Sequence, residues 1–236
     1  MLDWLDWKVR AGFGAVALCS TLAGAQGAPK RGAYPHMAPL AEYLMPRDSE
    51  IALARSAAPE SIAGGAGVLV LTAHGYEKAV SGTNGFVCLV ERGWTADAAD
   101  PVFWNPKIRG PMCLNAAAVT SHLPITVERT RLALAGKSNT EIAQAIAAAV
   151  DAKRLPRPSV DAMCYMMSKQ GYLSDDAGPW HPHIMWYAPE TDARVWGANA
   201  EGSPILASKV EADRVAVIMI PVRRWSDGTE DLPAGR

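Results

Sequence analysis

Apolar residues in this chain change their spacing twice along its length, and that switch limits the folds open to it. Between Ala116 and Val150 they recur at intervals of three and four, through Ala116, Val119, Leu123, Val127 and Leu134, then Ile142, Ile146, Ala149 and Val150. That spacing lays a buried stripe along helices. On either side the apolar residues form short runs or alternate with polar ones, which is the pattern of strands. Val68 to Thr72 reads as a buried strand, Val160 to Met167 and Trp180 to Tyr187 as alternating strands, and Val215 to Val222 as a central strand. Helices grouped between two sets of strands predict an α+β fold, a mostly antiparallel sheet with a central group of two or three helices.

Local signals refine this outline. Tyr76 to Ser81 and Phe86 to Glu91 flank Gly82, Thr83, Asn84 and Gly85. Asn-Gly accepts positive φ at both positions, so the two segments are expected to pair as a hairpin. Pro124 interrupts the first helical stretch and predicts either a kink or two helices meeting near His122. Ser138 with Glu141 three residues later forms a capping box for the next helix, which must end by Pro156. An earlier helix is expected from about Asp48 until Pro59 stops it.

The first residues run from Lys8 and Arg10 through an Ala, Gly, Val and Leu-rich stretch to Ala23, Gly24 and Ala25. A basic flank, an apolar stretch and a small-x-small site read as a signal peptide cleaved near Ala25. Residues 1–25 are thus assigned as signal peptide, 26–47 as an extended arm or linker rich in Gly and Pro, and 48–236 as one globular domain. The formal net charge is −1 with or without the signal segment, which gives no electrostatic footprint for nucleic acid. No later stretch is long and apolar enough to span a bilayer. The expected compartment is the periplasm or the exterior, where Cys88, Cys113 and Cys164 permit one disulfide and leave one thiol over.

Three constellations carry chemistry. On an extended backbone His181, His183 and Met185 share one face, and imidazole with thioether suits copper, while two imidazoles also serve zinc. Asp175 and Asp176 in the preceding loop, or His74 or His122 from elsewhere, would complete the coordination. Pro182 lacks a ladder donor and predicts an edge strand that leaves the rings accessible. The second is Cys113: with Pro111 as first helical residue, its thiol would lie in a first turn that favours a thiolate nucleophile. The third is Lys107 and Arg109, in a loop feeding that helix, as contacts for an anionic small ligand.

The signal segment, the Phe103-Trp104-Asn105-Pro106-Lys107 loop and the Trp180-His181-Pro182-His183 run together resemble a family of exported bacterial proteins. That resemblance implies export and carries no activity. The functional reading is a small-ligand or metal-ion binding protein centred on His181 and His183. The alternatives are a hydrolase using histidine with metal-activated water or the Cys113 thiol, and an envelope interaction protein without a small-molecule site. Intact-mass measurement of the envelope fraction is expected to show a chain starting at Gln26; a chain starting at Met1 removes the export assignment.

Overall fold

Eight strands form one sheet: β1 (Gly67–Thr72), β2 (Gly75–Val80), β3 (Val87–Glu91), β4 (Gly110–Leu114), β5 (Met163–Met166), β6 (His183–Pro189), β7 (Leu206–Val210) and β8 (Val215–Pro221). Their order is β2-β1-β3-β4-β5-β6-β8-β7, and every pairing is antiparallel except the short parallel contact of β1 with β3. Helices α1 (Arg47–Arg55) and α2 (Glu60–Ala63) precede the sheet, and α3 (Ala116–Ser121), α4 (Leu123–Leu134) and α5 (Asn139–Asp151) interrupt it. The fold is α+β with a mostly antiparallel sheet. These elements come from a computed structural model that describes residues 34–231 apart from 177, 190 and 191. The described residues fall within one unit, Arg31–Arg236. The expected signal peptide, residues 1–25, lies outside the described residues, and no helix among those described is long and apolar enough to cross a membrane.

The helices form where expected, but the buried face of α3 and α4 is not the stripe through Val119, Leu123 and Val127: Val127 is exposed, and Ala118, Ile125, Thr130, Leu132 and Ala133 are buried instead. Pro124 separates two helices, α3 and α4, at His122. The Ser138–Glu141 capping box is formed, and α5 buries Ile142, Ile146, Ala149 and Val150.

The hairpin is placed differently. β2 and β3 do not pair, because β1 lies between them. The apolar run of β1 takes β2 on one side through the Ala73-His74 turn and the start of β3 on the other. The Gly82–Gly85 segment crosses the beginning of β1 instead of turning back. Gly82 lies so close to the backbone of Ala66 and Gly67 that a Cβ would not fit, and Asn84 ties the crossing down through its side-chain amide to Ile62 O. The segment between Arg31 and Arg47 is also no free arm where it is described. Tyr43 is wholly buried, its ring 4.8 Å from that of Trp94 and its hydroxyl donating to Trp104 O.

Alternation sorts the central strands. Cys88, Val90 and Cys113 face a layer of small residues, Ala54, Ala57, Ala58 and Ala63, that lets α1 and α2 approach closely. Leu89, Met112 and Leu114 face the opposite side with Ala118, Cys164, Met185 and Tyr187. Residues 110–114 are thus strand, every one of them buried, and α3 starts only after the cap Asn115.

The gap where β1 and β3 part is filled by a wholly buried ion pair. Arg92 donates from Nη2 to Glu50 Oε1 at 2.9 Å, from Nε to Tyr43 O at 2.8 Å and from Nη1 to Val90 O. Glu50 Oε1 also accepts from Leu71 N at 3.1 Å, and Tyr76 OH donates to Val90 O at 2.7 Å. β1 and β3 pair only at Gly67–Val87 and Val68–Cys88, so the backbone groups of Leu71 and Val90 find their partners in these side chains. Removing one member leaves the other charged and buried without compensation. Glu50→Ala is therefore expected to lower the unfolding free energy by about 3–5 kcal/mol, measured in urea, and Glu50→Gln by less because it keeps an acceptor for Leu71.

Candidate functional site

The register of β5, β6 and β8 assembles a floor of soft side chains. Met166 stands opposite His183, and Cys164 opposite Met185, across β5 and β6. Met185 and Tyr187 stand opposite Met219 and Val217 across β6 and β8. Because side chains on a strand alternate, His183, Met185 and Tyr187 share one face while Ile184 and Trp186 take the other. The burial of β6 follows that alternation. His183, Met166, Met185 and Met219 line a cleft of about 470 Å³. Its roof comes from the turn Gly93–Thr95 and from Val102, Ile108, Leu173 and Trp180. Gly93 is required there, since a Cβ would collide with the carbonyls of Val102 and Phe103 as the chain folds back.

His183 is oriented within this cleft. Its Nδ1 lies 2.7 Å from His181 O, and a carbonyl only accepts, so Nδ1 carries the proton and Nε2 the lone pair. Burial holds the imidazole below the usual histidine range, against the opposing effect of that hydrogen bond. The indole of Trp180 meets the ring edge-on with centroids 4.8 Å apart. Trp180 adopts φ +58°, a left-handed conformation that costs a bulky residue about 1–3 kcal/mol. The turn from Gly178 thus places an aromatic side chain against His183 at the expense of backbone strain.

The cleft continues inward to a polar end. Glu91, Thr95, Met185, Val210 and Val217 line both the cleft and a smaller cavity of about 120 Å³ that reaches His122, Thr126, Arg129 and Asp213. Arg129 and Asp213 form a buried ion pair. Burial drives the His122 imidazole down to about 3, with Arg129 adding to the effect, and the ring stacks on Tyr187 at 3.7 Å. Burial pushes the Glu91 carboxyl up to about 7, against the pull of hydrogen bonds from Thr95 and Thr126 and of the Arg129 charge.

The other sequence-derived candidates fall elsewhere. His181 does not share the face of His183: Pro182 precedes β6, the chain turns there, and His181 Nδ1 pairs with Asp231 Oδ2 at 2.6 Å near the surface. Nor is β6 an edge strand, because Pro182 sits before the ladder and costs it no donor. Cys113 is on β4, not in a helix turn, and is bonded to Cys88 directly opposite, so the nucleophile geometry is not formed. Among the described residues Cys164 is the free cysteine; it is buried, its thiol is pushed up to about 12, and it lies 3.2 Å from Tyr187 OH. Lys107 pairs with Asp175 in a surface cluster with Tyr34 and Tyr172. Arg109 spends its donors on the carbonyls of Pro106, Ile108 and Glu42 and leads into a strand. His74 lies in the β1–β2 turn. Among the described residues no three His, Cys, Asp or Glu side chains gather as a metal site, which leaves zinc without a ligand set.

Glu91, Met166, Met219 and Trp180 are the site residues that sequence reasoning passed over. The alternation of Val160 to Met167 already put Cys164 and Met166 on one face, but nothing local tells which strands will lie beside it. No family model, curated protein or solved structure matches this chain.

The raised Glu91 carboxyl has a thermodynamic consequence. The folded state holds the Glu91 proton up to about pH 7, whereas the ordinary value is 4.5. Its stabilising contribution is whole below pH 4.5, falls as pH rises to about 7 and is constant above. His122 acts with the opposite sign at lower pH, so the difference between variant and wild type isolates Glu91. Glu91→Gln is expected to match wild type near pH 4 and to exceed it at pH 8 by on the order of 3 kcal/mol in denaturant unfolding.

Proposed function

We propose that this chain is an exported binding protein for a small, largely apolar molecule that carries a hydrogen-bond donor, held in the cleft over His183. One observation carries the reading: in a chamber walled by Met166, Leu173, Met185, Val217, Met219 and Trp180, an imidazole is held with its acceptor nitrogen uncommitted to the backbone. Binding pockets commonly combine apolar walls with a few placed polar groups. The cleft volume of about 470 Å³ suits a ligand of one or two rings. The Cys88–Cys113 disulfide supports the exported part of the proposal, since such bonds persist in oxidising compartments.

One observation favours a second reading, catalysis by proton transfer. Glu91 faces the same chamber with a carboxyl poised near neutrality, which is the condition for a general acid or base. Histidine chemistry in a hydrolase would then rest on His183 and Glu91, not on the Cys113 thiol.

A thermal-shift and native mass-spectrometry panel of phenols, indoles and aromatic alcohols tests the proposal. A ligand at a hundred times its Kd is expected to add about 2.7 kcal/mol, roughly 5–10 °C in Tm for a chain of this size. His183→Ala is expected to weaken binding about tenfold, the worth of one hydrogen bond, while Lys107→Ala leaves it unchanged. Binding that survives His183→Ala intact removes His183 from the site. Turnover of a bound ester or amide that is lost in Glu91→Gln selects the catalytic reading.

A further inference from the structure

We propose that His183, Met166, Met185 and Met219 form a binding site for a monovalent copper ion. The four residues occupy adjacent positions on three neighbouring strands. Met166 is directly across from His183, Met185 follows it by two residues on the same face, and Met219 is directly across from Met185. Opposed residues place their Cβ atoms about 4.5–5.5 Å apart, and positions two apart on one strand about 7 Å. Methionine has three rotatable side-chain bonds, so sulfur atoms on such a patch can turn toward a common point beside the imidazole. All four side chains line one open cavity, so an ion has a path to them.

The donor types select the ion. One imidazole nitrogen and three thioethers are neutral and soft, a set that suits Cu(I) and disfavours zinc, calcium and magnesium. A site without an anionic ligand holds one positive charge at much less desolvation cost than two. His183 is prepared for the role: Nδ1–H is fixed on the His181 carbonyl, the outer contact that orients a metal-binding imidazole and leaves Nε2 to coordinate. The Trp180 indole packs edge-on against one side of the ring. Methionines that merely fill a core lie in close contact on all sides, whereas Met166 and Met219 are partly exposed to the cleft.

The proposal goes beyond the small-molecule reading and does not rest on it. The full-length secreted protein, purified without a histidine tag, is titrated anaerobically with Cu(I) against a chromophoric Cu(I) chelator. One ion per chain is expected, with sulfur and nitrogen neighbours in the X-ray absorption spectrum. The variant combining Met166→Leu, Met185→Leu and Met219→Leu conserves core volume and so keeps the fold. It is expected to hold copper at least a hundredfold more weakly with an unchanged circular dichroism spectrum. His183→Ala is expected to lose the nitrogen neighbour and weaken binding at least tenfold; should it unfold, the leucine variant decides. The proposal is overturned if the chelator retains all the copper, or if the leucine variant competes as well as wild type. A chain that binds a panel ligand yet yields its copper to the chelator overturns this proposal and leaves the small-molecule reading standing.

Discussion

The Glu50–Arg92 pair is the interaction on which the remaining architecture depends. It stands where the parallel contact between β1 and β3 gives out, and it answers the backbone groups which that divergence would otherwise strand inside the protein. The same guanidinium holds the carbonyl of Tyr43, so α1, the segment before it and the end of β3 meet at one charge. Arg92 is also where the chain leaves β3 for the Gly93–Thr95 turn that roofs the cleft. A buried ion pair of this kind contributes less to net stability than to specifying one arrangement of its neighbours, because alternatives leave a charge uncompensated.

The cleft follows from that arrangement. Its roof is fixed by Arg92 and by the close approach at Gly93; its floor is fixed by strand register, and the two are set by unrelated parts of the chain. The polar groups are distributed asymmetrically. Trp180 stands beside His183, while Glu91 lines both the cleft and the smaller cavity that reaches Arg129, Asp213 and His122.

Much of the fold was legible because it depends on short stretches. The capping box at Ser138, the break at Pro124 and the buried stripe of α5 are each decided within a few residues, and each appears where expected. The hairpin expected at Asn84-Gly85 is not formed because turn propensity competes with the demand of the largely apolar β1 for a neighbour on both sides, and that demand is tertiary. His183 and Met185 were readable as one face from alternation alone. His181 was assigned to that face by extending the strand through Pro182, whereas the ladder begins after it. Met166, Met219 and Glu91 reach the site through pairing between segments up to about fifty residues apart, as where Cys113 meets Tyr165, which no local pattern encodes. Cys113 looked helical only because Pro111 so often opens a helix; here Pro111 lies within β4, facing Val90.

The position of β8 bears on how such a chain comes to be folded. β8 follows all the other described strands in sequence, yet it lies inside the sheet, between β6 and β7, and contributes Val217 and Met219 to the floor of the cleft. Until residue 221 has been made, β6 has an open edge and the cleft has only part of its floor. A nascent chain therefore cannot complete its sheet, or the floor of the cleft, before its last described strand has been made.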